Sequence, residues 1–145
     1  MTRSAFAAPG MPGEPIAGLE YRPGICNIGP AEIARRRRAG HVGLAVTIVV
    51  LVALVAIGAP PLARIVVALP AAAAASGYLQ AWFRFCAGFA SRGVFNFGPL
   101  GQTELVADVA NDEARRRDRS RATQIGLASL AIGVAAGIAA FLLPL

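Results

Sequence analysis

Two cysteines, Cys26 and Cys86, and a single histidine, His41, have the strongest potential for chemistry in this 145-residue chain. A thiolate is a nucleophile and a soft metal ligand, so these residues could transfer sulfur or, together, hold a metal ion. Arg84 favours a thiolate at Cys86, but the carboxyl-terminal helix end predicted there disfavours it. The three residues also lack the close spacing of a metal site. We therefore predict no metal and no cofactor, and we interpret both cysteines as buried apolar side chains or, alternatively, as reactive thiols.

Arginine supplies all 14 basic residues, against eight acidic ones, which gives a net charge of +6. Two clusters are candidates for contact with anionic lipid or a partner protein: Arg35, Arg36, Arg37, Arg38, Arg115, Arg116 and Arg117. The first cluster is predicted to anchor the chain among headgroups, and the alternative is selective capture of an anionic lipid or an acidic partner. Because this cluster precedes an apolar segment directly, we predict no binding to nucleic acid.

The overall composition indicates a bilayer environment. Apolar residues make up 56% of the chain and charged residues 15%, whereas soluble domains average about 45–50% and about 25%. Uncharged segments at about 42–59 and 123–145, and a nearly uncharged one at about 62–85, are long enough to span the hydrocarbon core. Between the first two, Pro60 and Pro61 leave room only for a short turn. We therefore predict an all-α membrane protein with an antiparallel transmembrane helical hairpin and a third transmembrane helix.

The arginines are divided unevenly between the two sides of this predicted membrane. Thirteen precede the first span or lie between the second and third, and only Arg64 lies near the hairpin turn. The positive-inside rule then places the amino end in the cytoplasm and the carboxyl end outside. Arg64 is expected at the outer interface, with its side chain reaching headgroups.

Four regions follow from this topology. Residues 1–29 are rich in Pro and Gly and are predicted to be a disordered cytoplasmic tail. Residues 30–97 contain an amphipathic start and the hairpin, and Pro70 is expected to kink its second helix. Residues 98–122 are predicted to form a cytoplasmic surface helix that begins at Glu104 and lies on the bilayer, on a partner or in solvent. Residues 123–145 form the third transmembrane helix.

Small residues suggest where helices approach each other. Ser129, Gly133 and Gly137 recur every four residues in the third span, and Gly77 belongs to a similar ridge in the second. Such ridges allow close helix packing. The ridge in the third span could serve packing within the chain, pairing of two copies, or neither.

Features required for catalysis or transport are missing from the sequence. None of the eight acidic residues lies inside a predicted span, and no phosphate loop, nucleophile elbow or HExxH motif occurs. Aromatic residues at the end of the second span, including Tyr78 and Trp82, are typical of an anchoring belt at a membrane boundary. We therefore expect a structural or interaction subunit rather than an enzyme. The alternative function is a membrane thiol or sulfur-transfer protein that uses Cys86 and Cys26.

Residues 27–97 resemble the YgaP-like family of small bacterial inner-membrane proteins. The matching positions, in order, are Asn27, Gly29, Glu32, Arg35, Gly40, Pro70, Gly77, Phe85 and Cys86. The resemblance implies a two-span hairpin in a bacterial inner membrane, found alone or fused to rhodanese domains that handle sulfane sulfur. This chain differs in having Ala87 where the family often has Pro, no cysteine after Cys86, and a third span.

Overall fold

The computed structural model describes residues 20–105 and 112–144. The first elements are helices α1 (Pro30–Ala56), α2 (Pro61–Arg64) and α3 (Ala68–Trp82), with a 3-10 turn at Ile65–Val67 before α3. The remaining elements are helix α4 (Ala87–Arg92), strands β1 (Val94–Phe95) and β2 (Glu104–Leu105), and helix α5 (Asp112–Leu142). Within the described ranges, three helical stretches are long and apolar enough to cross a membrane: Pro30–Ala56, Pro61–Trp82 and Asp112–Leu142. The prediction of three such helices is confirmed.

Helix α1 ends in a Schellman motif at Gly58. Gly58 adopts a left-handed conformation with φ of 66°, which glycine tolerates because it has no Cβ. The amide of Ala59 donates to the carbonyl of Leu54, and that of Gly58 donates to the carbonyl of Val55. Pro61 then begins α2 at a position that needs no N–H donor, as the sequence predicts.

The second apolar segment is not the single helix from 62 to 85 that the sequence predicts. Helix α2 changes to a 3-10 turn at Ile65–Val67, and α3 then ends at Trp82. Pro70 explains the change, because it lacks an N–H and its ring would collide with the carbonyl of Val66 in a continuous α-helix. The expected distortion therefore takes the form of a change in helix type just before Pro70.

Helix α3 packs against both α1 and α5 through small residues. A Cβ atom built on Gly77 would lie 2.6 Å from the backbone nitrogen of Gly40 on α1. On α5, a Cβ atom at Gly133 would lie 2.6 Å from the carbonyl oxygen of Ala68, and one at Gly137 would lie 3.0 Å from the Ala68 Cβ. The structure therefore places Gly77, Gly133 and Gly137 at contacts between helices of the same chain.

Ser129, the fourth residue predicted in these ridges, is also buried. Its hydroxyl donates a hydrogen bond of 2.7 Å to the carbonyl of Ile125, one turn earlier in α5. The side chain therefore satisfies its own polar group within the helix and leaves a small surface for packing.

Residues 20–29 are ordered, which corrects the predicted disordered tail for that part; residues 1–19 lie outside the described ranges. The hydroxyl of Tyr21 donates to Asp118 Oδ2 on α5 at 2.7 Å, and the Gly24 amide donates to Asp118 Oδ1 at 2.6 Å. Asp118 is 3% exposed, so these bonds satisfy a buried carboxylate. The segment is held by a partner about a hundred positions away, which local composition could not predict.

The predicted start of the surface helix at Glu104 is also corrected, while residues 106–111 of that prediction lie outside the described ranges. Glu104 and Leu105 form β2, which pairs antiparallel with β1, so the structure adds a small sheet to the predicted all-α fold. Asn96 stabilises the intervening turn by accepting from the amide of Gly98 and donating to the carbonyl of Pro99. Helix α5 is continuous from Asp112 to Leu142, so the helical part of the predicted surface segment runs directly into the third apolar helix.

Arg64 is buried, which corrects its predicted reach to headgroups. Its side chain is 3% exposed. Nε donates to the carbonyl of Ala59 at 3.2 Å and Nη1 donates to the carbonyl of Leu143 at 3.2 Å. Ala59 lies in the turn between α1 and α2, and Leu143 directly follows α5, so Arg64 connects this turn with the segment after α5.

Candidate functional site

Cys86 lies at a buried junction between the amino-terminal segment and the start of α4. The Cys86 amide donates to Oδ1 of Asn27 at 2.6 Å, and Nδ2 of Asn27 donates to the Cys86 carbonyl at 3.0 Å. The Asn27 amide donates to the carbonyl of Arg84, while its own carbonyl accepts from the amide of Asn96. Asn27 is 0% exposed and Cys86 1%. Asn27 therefore connects the amino-terminal segment with the end of α3 and with Asn96, the residue that follows β1.

The Cys86 thiol is paired with Arg36 of the first arginine cluster. Nη2 of Arg36 lies 2.8 Å from Cys86 Sγ, as a donor. Ile28 and Phe89 pack against the cysteine from the apolar side. The sequence analysis expected Arg84, two positions before Cys86, to interact with the thiol, but the side chain of Arg84 is exposed. The guanidinium therefore supplies a hydrogen-bond donor to the sulfur, whereas burial denies a reaction partner access to it.

Glu32 adds a buried carboxylate to the first turn of α1. It is 1% exposed, and Oε2 lies 3.2 Å from Nε of Arg35. In the part of the chain that the structure describes, Glu32 Oε2 and Arg36 Nε are buried atoms without a hydrogen bond. An acid in the first turn is favoured by the positive end of the helix dipole, so this carboxylate also supports the start of α1.

Cys26 lies in different surroundings from Cys86. It is half-buried, and its Sγ contacts the carbonyl of Ile28 at 3.8 Å. Both cysteines are free thiols. Cys26 lines a polar cavity to which Cys86 does not contribute.

His41 pairs with Tyr78 across the contact between α1 and α3. Its Nδ1 lies 2.7 Å from the Tyr78 hydroxyl, and the two rings meet edge to face. Over residues 20–105 and 112–144, no group of three or more His, Cys, Asp or Glu side chains could hold a metal ion. The histidine therefore contributes to helix packing near the aromatic end of α3.

The arginine clusters present most of their side chains to the outside. Arg35, Arg37 and Arg38 are exposed, and Arg36 alone of the four turns inward to Cys86. In the second cluster, Arg115 is half-exposed, Arg116 and Arg117 are exposed, and Arg117 forms an ion pair with Glu113. Because the side chains of the exposed arginines reach solvent, they are accessible to an external anion. The ion pair of Arg117 is itself exposed, and such pairs contribute little to stability.

A further basic site, which we call the boundary cavity, was missed by sequence reasoning. It has a volume of about 380 Å³ and is lined by Glu20, Arg22, Ile25, Cys26, Trp82, Phe83, Arg84 and Arg121. Its three arginines come from the amino-terminal segment, the end of α3 and α5, so no cluster of arginines along the sequence indicates the cavity. The available signal was Trp82 two positions before Arg84 at the end of an apolar segment. The sequence analysis interpreted Trp82 as part of an anchoring belt and Arg84 as a neighbour of Cys86, and it did not connect the two.

No protein-family profile, curated protein or solved structure was found to match the chain.

Proposed function

We propose that this chain is a small integral membrane protein with three transmembrane helices that acts as a structural or interaction subunit. Its cytoplasmic surface presents arginines to anionic lipid or to a protein partner, a membrane protein or a second copy of the chain. One observation carries the proposal: exposed arginines gather at one end of three long apolar helices, whereas Arg64, near the other end, is buried against carbonyl groups.

The use of the buried polar side chains supports a role without catalysis. Asn27 bonds to the backbone of Cys86, Arg64 to the carbonyls of Ala59 and Leu143, and Asp118 to the amide of Gly24. Each of these side chains forms hydrogen bonds with backbone groups of the protein. Buried polar groups need such partners for the fold to be stable. Side chains that are held in this way are not available to bind a substrate.

The proposed topology places the amino end of α1 in the cytoplasm and the carboxyl end of α5 outside. Helices α1 and α2–α3 form an antiparallel transmembrane hairpin, and α5 adds the third crossing. Thirteen of the 14 arginines then lie on the cytoplasmic side, in agreement with the positive-inside rule. The resemblance to the YgaP-like family supports a bacterial inner membrane as the location.

Neutralising the exposed arginines of the first cluster is expected to disturb this orientation. The triple variant R35Q/R37Q/R38Q retains Arg36, and therefore the contact with Cys86, while removing three charges, each worth about 1 kcal/mol near an anionic surface. We expect an increased fraction of molecules with the first span inverted or not inserted. Protease accessibility of an epitope tag after α5, compared between spheroplasts and inverted vesicles, measures this fraction.

The matched control is R35K/R37K/R38K, which keeps the charge and loses the planar guanidinium groups. We expect it to retain orientation and association, since the topology rule depends on charge. A lysine variant that is correctly oriented but loses its lipid or protein partner would instead identify the cluster as a recognition site. A glutamine variant with unchanged topology would contradict the anchoring role.

A second candidate function, membrane thiol or sulfur transfer at Cys86, is favoured by the contact between Arg36 Nη2 and Cys86 Sγ. Cys26 would be its second thiol. The proposal of a subunit without catalysis predicts instead that Cys86 is inert, because a buried thiol reacts only when the structure opens locally.

Alkylation kinetics distinguish these two candidates. In C26S and C86S variants, each retaining one thiol, we expect Cys86 to react with a maleimide at least about tenfold more slowly than Cys26. The rates are measured on the protein in lipid nanodiscs by mass spectrometry. Faster alkylation at Cys86 than at Cys26, with a rate that falls in R36Q, would favour the thiol function.

A further inference from the structure

The boundary cavity lies where the polar and apolar parts of two long helices meet. Trp82 and Phe83 stand at the end of α3, and Arg121 immediately precedes the uncharged part of α5. Three arginines and one glutamate line the cavity, so its wall is strongly basic. A volume of about 380 Å³ is within the range of pockets that hold small ligands.

Arg121 is fixed at this cavity with unused hydrogen-bonding capacity. Its guanidinium lies 4.2 Å above the ring centroid of Phe83, a cation–π geometry, and its Nη1 donates to Oε1 of Gln124 at 3.2 Å. Its Nε is buried and has no hydrogen bond to any described residue. A buried N–H donor without a hydrogen bond lowers the stability of the fold unless a ligand supplies an acceptor. This donor belongs to Arg121, a side chain of the cavity wall.

Arg84 occupies a backbone position where glycine is usual. It adopts φ of 52°, the only described non-glycine residue with positive φ. The amides of Phe85 and Arg84 donate to the carbonyls of Gln80 and Ala81, so α3 ends in the same Schellman motif that Gly58 closes in α1. A left-handed conformation costs a non-glycine residue about 1 kcal/mol. The residue in this unfavourable conformation is Arg84, whose side chain lines the cavity.

Trp82 supplies an apolar border to the cavity. It is 82% exposed despite its size, and Ile25, which also lines the cavity, is 61% exposed. Tryptophan at the end of an apolar helix is typical of headgroup depth. The cavity therefore combines guanidinium donors with apolar surface, which is the combination that a lipid headgroup and its attached chains require.

From these observations we propose that the boundary cavity binds the phosphate group of an anionic lipid headgroup. Arg22, Arg84 and Arg121 provide charge and directed N–H donors for phosphate oxygens, which arginine matches in a planar, bidentate manner. Trp82 and Ile25 border the acyl chains. The inference rests on the proposed membrane topology, and it locates lipid binding in residues outside both sequence clusters.

The test uses Trp82, the one tryptophan of the chain, as the reporter. The protein is reconstituted in phosphatidylcholine bilayers in which either phosphatidylglycerol or phosphatidylcholine carries brominated chains, and quenching of tryptophan fluorescence is compared. We expect phosphatidylglycerol to be preferred beside Trp82, with about a fivefold loss of preference for each cavity arginine removed. The two test variants are R84G and R121Q, alone and combined.

R84G keeps the test independent of folding, because glycine suits the left-handed position and removes only the side chain. The control R92Q/R119Q removes two exposed charges that lie outside the cavity and outside both arginine clusters, and it is expected to keep the preference. Equal quenching by the two brominated lipids in the wild type would overturn the proposal. An equal loss in the control and in R84G/R121Q would also overturn it, because it would indicate diffuse attraction.

Two parallel measurements separate the remaining outcomes. Recovery of fluorescence on addition of glycerol 3-phosphate would overturn the lipid assignment and indicate a soluble phosphate ester in the cavity. Protease protection in the same vesicles reports whether the three helices cross the bilayer. Intact protection with unselective quenching refutes the headgroup site alone, whereas lost protection refutes the membrane topology on which it rests.

Discussion

Replacement of Asn27 by alanine is expected to lower the free energy of unfolding by about 2–6 kcal/mol. The side chain of Asn27 is the partner of both the buried amide and the buried carbonyl of Cys86. Its removal leaves two buried backbone groups unpaired, at about 1–3 kcal/mol each. Reversible unfolding by SDS in mixed micelles, followed through Trp82 fluorescence, measures the change.

The same variant is expected to expose the Cys86 thiol. Loss of the asparagine releases the segment that covers the cysteine, so Cys86 alkylation should accelerate together with the loss of stability. Q102A is the control, since Gln102 is exposed and its truncation leaves the junction unchanged. A stable N27A variant with an unreactive Cys86 would show that another contact holds this region.

Replacement of Gly133 by alanine is expected to force α5 away from α3 and to cost about 1–3 kcal/mol. The added Cβ would lie 2.6 Å from both the Ala68 carbonyl oxygen and the Ala72 Cβ. Neither atom belongs to a flexible side chain, so relief requires movement of a whole helix. G77A should act similarly between α3 and α1, where a Cβ would lie 2.6 Å from the backbone nitrogen of Gly40. The same SDS titration measures both variants.

G126A is the matched control on α5. A Cβ at Gly126 would have no neighbouring atom within 4 Å among the described residues, and alanine is the better helix former by about 1 kcal/mol. We therefore expect G126A to be neutral or stabilising. If G133A were as stable as G126A, close approach of α3 and α5 would not contribute to folding. If G133A altered only the association between copies, the ridge would be an intermolecular surface.

The candidate site shows how little of its geometry sequence neighbours could predict. Arg84 lies two positions from Cys86, yet the contact to the thiol comes from Arg36, fifty positions away. Proximity along the chain does not determine side-chain direction, and the left-handed conformation of Arg84 reorients the backbone between the two residues. Similarly, the three arginines of the boundary cavity come from distant segments.

The sequence alone determined the three long apolar helices and the stop at Pro60 and Pro61. These features follow from local properties: long uncharged runs and the missing proline N–H are visible without any knowledge of packing. It also identified Gly77, Gly133 and Gly137 as small surfaces suited to helix contact, although it left open which helices they meet.

The arrangement of the polar ends, in contrast, depends on contacts that form only in the folded chain. The order of residues 20–29 depends on Asp118, and the burial of Arg64 depends on the carbonyls of Ala59 and Leu143. The pairing of β1 with β2 depends on the turn held by Asn96. In each case a buried polar side chain is satisfied by a partner that is remote in sequence or separated by a turn. Hydrogen-bond satisfaction of this kind is a property of the whole fold, which composition and periodicity do not encode.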